Sequence, residues 1–193
     1  MNIPAVFEDH LNKFIIPDDT LLDNIMSYFS TEQVKKKQLL LSEGQICRHH
    51  FFVLDGCLRK FFINDKGVEQ TTEFAIEHWW LTDGFAFEHQ QPAQFYIQAV
   101  ESSELLVINH SNQEKLLQNF PVMERYFRYV YQRAYSAAQM KFKYMHSFSK
   151  EDYYHFFANA YPEFVQRIPQ YLLASFLGFT PEYLSEIRAK KSS

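Results

Sequence analysis

Residues 170–189 read Gln170-Tyr-Leu-Leu-Ala-Ser-Phe-Leu-Gly-Phe-Thr-Pro-Glu-Tyr-Leu-Ser-Glu-Ile-Arg-Ala189, and this stretch decides the fold of the C-terminal part of the chain. Ala174 is small enough for a point where two crossing helices approach, and Gly178, four residues later, suits a turn with positive φ. Thr180 is a preferred N-cap, and Pro181 fits the first position of a second helix. Apolar residues stand where both helices must bury a face, at Leu173, Leu177, Leu184 and Ile187. The stretch predicts a helix-turn-helix, and the alternative is an ordinary pair of packed helices.

The second helix of such a module enters the major groove of DNA with its N-terminal side chains facing the base edges. The residues that we expect to contact DNA are Thr180, Glu182, Tyr183, Ser185, Glu186, Arg188 and Lys190. Glu182 can accept a hydrogen bond from a cytosine amino group, and Arg188 and Lys190 can hold phosphates. Glu186 opposes binding, because phosphates repel a carboxylate unless it pairs with Arg188 or reads a cytosine.

Charge is distributed unevenly along the 193 residues, whose net charge is −4. Residues 1–112 carry 16 acidic and 8 basic side chains, residues 113–148 carry 2 and 6, and residues 149–193 carry 5 of each. An acidic front and a more basic back suit a protein whose C-terminal part approaches phosphates. Chance segregation of charge is the alternative.

Short strand-like runs separated by turn signals occupy the region before residue 112. The runs are Leu39–Leu41, Phe51–Leu54, Cys57–Ile63, Val68–Phe74, Tyr96–Val100 and Leu105–Ile108. Strands at this spacing predict a sandwich or a jelly roll. An amphipathic helix is predicted before them, from Asp18 to Phe29. With the helical C-terminal part, the fold class is α+β.

A long amphipathic helix is predicted after Pro121, because apolar residues recur there at three- and four-residue steps through about His146. A helix of this length needs a partner surface, either the same helix of a second copy or its own barrel. A capping box formed by Ser149 and Asp152 predicts another helix through about Ala160. The resulting domains are 1–112, 113–148 and 149–193.

The chain resembles the Crp/Fnr family of bacterial regulators over about residues 7–191. The resemblance is carried by the order of elements and by the strings Phe52-Val-Leu-Asp-Gly-Cys-Leu-Arg59 and Ile168-Pro-Gln-Tyr-Leu-Leu-Ala-Ser-Phe-Leu-Gly-Phe-Thr-Pro-Glu182. It implies a β-roll sensor domain like the cyclic-nucleotide-binding domain, a dimerisation helix and a DNA-binding domain. The implied function is that of a cytoplasmic, homodimeric transcription regulator on a palindromic operator. RNA polymerase and a small-molecule effector are possible further partners.

The phosphate-binding cassette departs from the pattern of the family. Members that bind cyclic nucleotides carry a Gly-Glu pair and, about ten residues later, an Arg-Ser pair. Here the corresponding pairs are Thr82-Asp83 and Ala93-Gln94, so the arginine is missing and a phosphate would face Asp83 without an evident cation. We expect no tight binding of cyclic AMP, and the pocket either takes another ligand or is filled by side chains. The expected pocket residues are Trp80, Thr82, Asp83, Phe85, Ala93 and Gln94.

Other functional classes receive less support from the sequence. Cys47 and Cys57 do not form an iron-sulfur or zinc pattern, so we expect no cofactor and no metal. A cupin-like metal enzyme is not favoured, because the neighbours His49 and His50 point to opposite faces of a strand. Neither a signal peptide nor a membrane span is evident. The main alternative is a sensor or scaffold dimer whose helix-turn-helix has lost DNA binding, since Glu186 and a short segment in place of the usual β-hairpin wing both weaken DNA contact.

Overall fold

The computed structural model describes residues 4–191, which divide into two compact units. The first unit consists of the described residues up to Phe62 together with Glu73–Gln132. The second consists of Ile63–Thr72 together with the chain from Arg133 onward. The division falls within one long helix, between Gln132 and Arg133.

Two antiparallel sheets form the β-roll. Their strands are β1 (Ser30–Val34), β2 (Leu39–Leu41), β3 (His49–Asp55), β4 (Leu58–Ile63), β5 (Glu69–Ala75), β6 (Trp80–Leu81), β7 (Tyr96–Ala99) and β8 (Ser103–Asn109). Within the described residues, one sheet has the order β1-β8-β3-β6 and the other has the order β2-β7-β4-β5. The fold class expected from the sequence is confirmed, and β1 and β6 are strands that the sequence analysis did not identify.

Strand β3 is buried on both faces, which explains its continuous apolar run. Phe51 and Val53 point into the core between the two sheets, whereas Phe52 and Leu54 point into a second core outside the roll. Successive side chains of a strand alternate between faces, so both sides of an unbroken apolar segment must be covered.

The helices of the first unit cover the roll. They are α1 (Ala5–Asn12), α2 (Asp19–Met26), α3 (Gly84–His89), α4 (His110–Asn119) and the N-terminal part of α5 (Val122–Ser147). All of them except α3 pack on the outer core, whereas Ala86 and Phe87 of α3 belong to the core between the sheets. Tyr126 of α5 is fully buried, accepts a hydrogen bond from Trp80 Nε1 at 2.8 Å and is hydrogen-bonded to His10 Nδ1 at 2.9 Å. This contact ties α1, β6 and α5 together. Burial raises the pKa of the Tyr126 hydroxyl well above its ordinary value.

The second unit is mainly helical and rich in aromatic contacts. After α5 it contains α6 (Lys150–Ala160), α7 (Pro162–Arg167), α8 (Gln170–Leu177) and α9 (Pro181–Lys191). The capping box is present: the Asp152 amide donates to Ser149 Oγ at 3.1 Å, and the Ser149 hydroxyl donates to Asp152 Oδ2 at 2.6 Å. Ring contacts link α5 to α6, with the centroids of Tyr144 and Phe156 4.6 Å apart.

Candidate DNA-binding surface and effector pocket

Helices α8 and α9, joined by a tight turn, occupy the part of the second unit where the sequence predicts a helix-turn-helix. Gly178 ends α8 in the left-handed conformation, with φ of 79°, and the amide of Phe179 returns to the carbonyl of Ala174 at 2.8 Å. The hydroxyl of Thr180 accepts a hydrogen bond from the Tyr183 amide at 3.2 Å and so caps α9. The apolar face of the module is buried at Leu173, Ala174, Leu177, Leu184 and Ile187. Each of these positions has the role that the sequence predicted.

The exposed surface of α9 carries most of the residues expected to contact DNA. Thr180, Glu182, Ser185, Glu186, Arg188 and Lys190 are exposed, and Tyr183 is half-buried. Glu182, Ser185 and Glu186 lie on the side of the helix opposite its buried face, whereas Tyr183, Arg188 and Lys190 lie on its flanks. The two carboxylates precede the two cations along α9, and this mixed surface is less basic than phosphate binding favours.

Helix α6 holds two of these side chains through its first turn. Lys190 Nζ lies 3.9 Å from Glu151 Oε2, and the ammonium of Lys150 lies 5.6 Å from the ring centroid of Tyr183. The Tyr183 ring also meets Phe179 edge-on at 5.8 Å. Tyr183 is thus oriented by neighbours on two sides, whereas the exposed Lys190–Glu151 pair contributes little to stability.

The segment expected to carry a shortened wing is helical. Residues 162–167 form α7, which begins at Pro162, a residue suited to the first position of a helix. Its one-residue connection to α6, Tyr161, has a φ of −135° and a ψ of 59°, which are outside the helical region, and Ile168 leads on to α8. Described residues 149–191 contain no strand, so no β-hairpin wing lies among them.

In the first unit, Asp83 occupies the centre of the cassette. Its side chain is 4% exposed, and its two carboxylate oxygens accept hydrogen bonds from the amides of Ala86 at 3.3 Å and Gln94 at 2.9 Å. A carboxylate of the chain therefore caps α3 and ties together the two cassette segments. Backbone N–H groups at a helix N-terminus can also donate to a bound anion. Here the N–H groups of Ala86 and Gln94 already donate to the Asp83 carboxylate.

Lys60 supplies a cation that the sequence analysis missed. Its side chain is 12% exposed, and its ammonium lies 2.9 Å from Glu73 Oε2, donates to the Thr82 carbonyl at 3.2 Å and lies 5.3 Å from the Phe95 ring centroid. Lys60 comes from β4, 22 residues before Thr82, so nothing in the local cassette sequence indicates it. The pairing of strands brings it there.

The expected pocket residues separate into two groups. Thr82, Asp83, Ala93 and Gln94 lie together at the cassette, where Thr82 Oγ1 donates to the His49 carbonyl at 2.9 Å. Trp80 pairs with Phe52 on β3, and the alternation of faces directs it into the outer core rather than into the roll. Phe85 is 62% exposed and stacks on His89, 4.4 Å away between centroids, on the outer side of α3.

A cavity of about 560 Å³ lies between α3, α4 and α5 in the same unit, and its lining includes Glu88, Gln113, Glu114 and Tyr131. Behind it the buried ring of His50 donates from Nδ1 to Gln113 Oε1 at 3.3 Å, and Gln113 Nε2 donates to Tyr131 Oη at 3.5 Å. Burial, opposed by the Gln113 contact and reinforced by the charge of Lys60, lowers the pKa of His50 to about 4.

Residues 4–191 contain neither a candidate metal site nor a candidate membrane span. No group of three or more His, Cys, Asp or Glu side chains is placed to hold a metal ion. No described helix has the length and apolarity needed to cross a membrane.

Known families and structures match the chain as follows. Residues 31–120 match the family model of the cyclic nucleotide-binding domain. FixK2 from Bradyrhizobium japonicum is 13% identical, with a TM-score of 0.70 over 84% of this chain and 83% of that one. The c-di-GMP-responsive global regulator CLP from Xanthomonas campestris is 11% identical, with a TM-score of 0.70 over 91% and 92%.

The Thermus thermophilus catabolite activator protein is 18% identical, with a TM-score of 0.56 over 91% of this chain and 84% of its own. No curated protein sequence matches the chain significantly. These matches agree with the two sheets of the roll, the long helix and the C-terminal helices described above. Residues 31–120 are therefore a cyclic nucleotide-binding domain in fold, and the chain has the architecture of the Crp/Fnr regulators.

Proposed function

We propose that this protein is a transcription regulator that binds DNA as a homodimer through α9. The observation that carries the proposal is the capped turn from Gly178 to Thr180, after which Glu182, Ser185 and Glu186 are exposed on the side of α9 opposite its buried face. A helix presented in this way fits the major groove. Glu182 and Glu186 are then candidates to accept hydrogen bonds from cytosine amino groups.

The dimer is proposed from the surface of α5. Large apolar or aromatic side chains are exposed along this helix, at Tyr131, Tyr135, Met140, Phe142 and Met145. Tyr131, Tyr135, Phe142 and Met145 lie on one side of this 26-residue helix, and Met140 lies on the other. The stripe of four is more apolar than solvent exposure favours, and a second copy of the helix would cover it. Analytical ultracentrifugation tests this proposal, and a stable monomer at micromolar concentration would contradict it.

DNA binding is tested by electrophoretic mobility shift with fragments from the region upstream of the protein's own gene. Binding should weaken as salt increases, because phosphate contacts release counterions. Arg188→Ala and Lys190→Ala should weaken it further and reduce its salt dependence, whereas Lys36→Ala, an exposed substitution on the roll, should leave it unchanged.

A scaffold or ligand-sensing dimer without DNA binding is the second candidate, and the carboxylates of Glu182 and Glu186 favour it. Absence of any shift at low salt, with dimerisation intact, would select this candidate. The two functions share the same fold and differ only in what the surface of α9 binds.

The roll is proposed not to bind cyclic nucleotides. Asp83 occupies the amides of Ala86 and Gln94, and Lys60 is paired with Glu73, so both the donors and the cation that a phosphate needs are engaged by the chain itself. An entering phosphate would have to displace the Asp83 carboxylate or lie against it. Calorimetric titration with cyclic AMP and cyclic GMP should show no heat of binding, and micromolar affinity for either would contradict the proposal.

A further inference from the structure

The segment Ile63–Thr72 packs with the helix-turn-helix and belongs to the same compact unit. It contains the turn between β4 and β5 and the first residues of β5, which is the outermost strand in the sheet order β2-β7-β4-β5. An outermost strand presents backbone N–H and C=O groups that no neighbouring strand takes up. The side chain of Ser175, on α8, meets these groups.

Ser175 binds the strand through both functions of its hydroxyl. It donates to the Glu69 carbonyl at 2.9 Å and accepts from the Thr71 amide at 2.9 Å. Glu69 and Thr71 are two residues apart, so these two groups face the same edge of the strand. The Ser175 hydroxyl therefore satisfies one C=O and one N–H group of β5 that a neighbouring strand would otherwise bond.

Lys141, on α5, makes a second contact beside the first. Its ammonium donates to the Thr72 carbonyl at 2.9 Å and lies 3.7 Å from the ring centroid of Phe176, the residue after Ser175. The amino group thus joins the strand and α8 from a third element. Together, Ser175 and Lys141 fasten residues 69–72 to the first helix of the DNA-binding module.

We propose that this fastening, which we call the hairpin latch (Ser175 and Lys141 on residues 69–72), restrains the helix-turn-helix and must open for full DNA affinity. The proposal rests on the proposed function. Two observations give its direction. Ser175 and Lys141 hold the segment on α8, the first helix of the module, and the segment carries Asp65 and Glu69 against a single cation of its own, Lys66.

Charge explains why a closed latch opposes DNA binding. The segment has a net negative charge, and while it is held on the DNA-binding module it weakens the electrostatic attraction between the module and DNA phosphates. After release, the segment can move away from the phosphates. Hydrogen bonds of this kind each contribute modestly, so the latch is of a strength that the binding of DNA or of an effector can overcome.

The test uses three variants of the full chain. Ser175→Ala removes the hydroxyl and favours the helix, Ser175→Thr retains a hydroxyl, and Ser111→Ala makes the same replacement at an exposed position of α4. Circular dichroism verifies that each variant is folded. Hydrogen exchange of the peptide spanning Glu69–Thr72, measured without DNA, reports on the latch itself.

The second measurement is the affinity for a random-sequence duplex at low salt, by fluorescence anisotropy. Ser175→Ala should accelerate exchange in Glu69–Thr72 about tenfold and raise DNA affinity by up to about tenfold, since losing two hydrogen bonds shifts an equilibrium by roughly that factor. Ser175→Thr should stay near the unmodified protein in both measurements, and Ser111→Ala should match it.

Each outcome separates the latch from the proposed function. Unchanged exchange in Ser175→Ala overturns the latch. Faster exchange with DNA affinity unchanged or reduced overturns its restraint of DNA binding. If neither the unmodified protein nor Ser175→Ala binds the duplex at low salt, the proposed function fails together with the restraint, while the exchange data still establish the contact.

Discussion

Replacement of His50 gives a test of the packing between the roll and its helical cover. The ring is 2% exposed, and its pKa is lowered from 6.5 to about 4, first by burial. The folded protein therefore keeps His50 neutral where the unfolded chain binds a proton. The contribution of the neutral His50 ring to the free energy of unfolding is fully present above about pH 6.5 and is lost as the pH falls toward 4.

The magnitude follows from the two pKa values. Between about pH 7.5 and about pH 5, the free energy of unfolding should fall by roughly 2 kcal/mol on account of His50 alone. Other groups titrate in the same interval, so the quantity to measure is a difference between variants. His50→Gln removes the titration and keeps an amide near Gln113.

Urea unfolding at both pH values provides the assay. His50→Gln should be less stable than the unmodified protein at about pH 7.5, because the ring packs against Trp80 at 4.5 Å between centroids. Near pH 5 that deficit should shrink by roughly 2 kcal/mol. His49→Gln is the matched control, since His49 precedes it on β3 and is exposed. Equal pH dependence in the two variants would refute the assignment of a buried, neutral His50.

Three further substitutions separate backbone strain, steric clash and capping. Gly178→Ala should lower the free energy of unfolding by about 1 kcal/mol, because the φ of Gly178 is +79°. Steric clash adds nothing, since the nearest atom to an added Cβ, Met145 Cε, is at an ordinary contact distance of 3.6 Å. Unchanged thermal stability would show that the turn relaxes. Gly56→Ala should be far worse, with loss of soluble protein on expression, because its Cβ would overlap the Ser103 side chain and lie 2.8 Å from the Ser103 Cα; wild-type yield would count against this packing. Thr180→Ala should cost about 1 kcal/mol through loss of the cap on Tyr183, measured by thermal unfolding, and Thr180→Ser should restore most of it.

The turn between α8 and α9 was predictable because its constraints are local. The positions of Ala174, Gly178 and Thr180 are set by turn and cap geometry within a dozen residues, and the structure gives each the expected conformation. The capping box at Ser149 was predictable for the same reason. Helix α5, Val122–Ser147, also follows from an apolar periodicity that needs no knowledge of its partner.

The contents of the cassette were not predictable in full. Lys60 reaches Thr82 through the pairing of β4 with β7, and the side of the sheet that Trp80 faces depends on its pairing with Phe52. Both facts depend on strand register, which the local sequence does not fix. Strand β1 escaped identification because Ser30–Val34 is mostly polar and exposed, and it is a strand by virtue of pairing with β8.

That pairing has a consequence for how the chain folds during synthesis. Ser30 aligns with Val107 and Val34 with Ser103, so about seventy further residues must be synthesised before the first strand of the roll can pair with its neighbour. Strand β3 precedes the same strand β8 by about fifty to sixty residues, so until β8 is synthesised one edge of its apolar run from Phe51 to Leu54 has no partner strand. Contacts so distant in sequence form slowly, and a nascent apolar strand of this kind associates readily with other chains. A ribosome-bound fragment ending before β8 should therefore depend on chaperones, and one that extends past α4 should be free of that dependence.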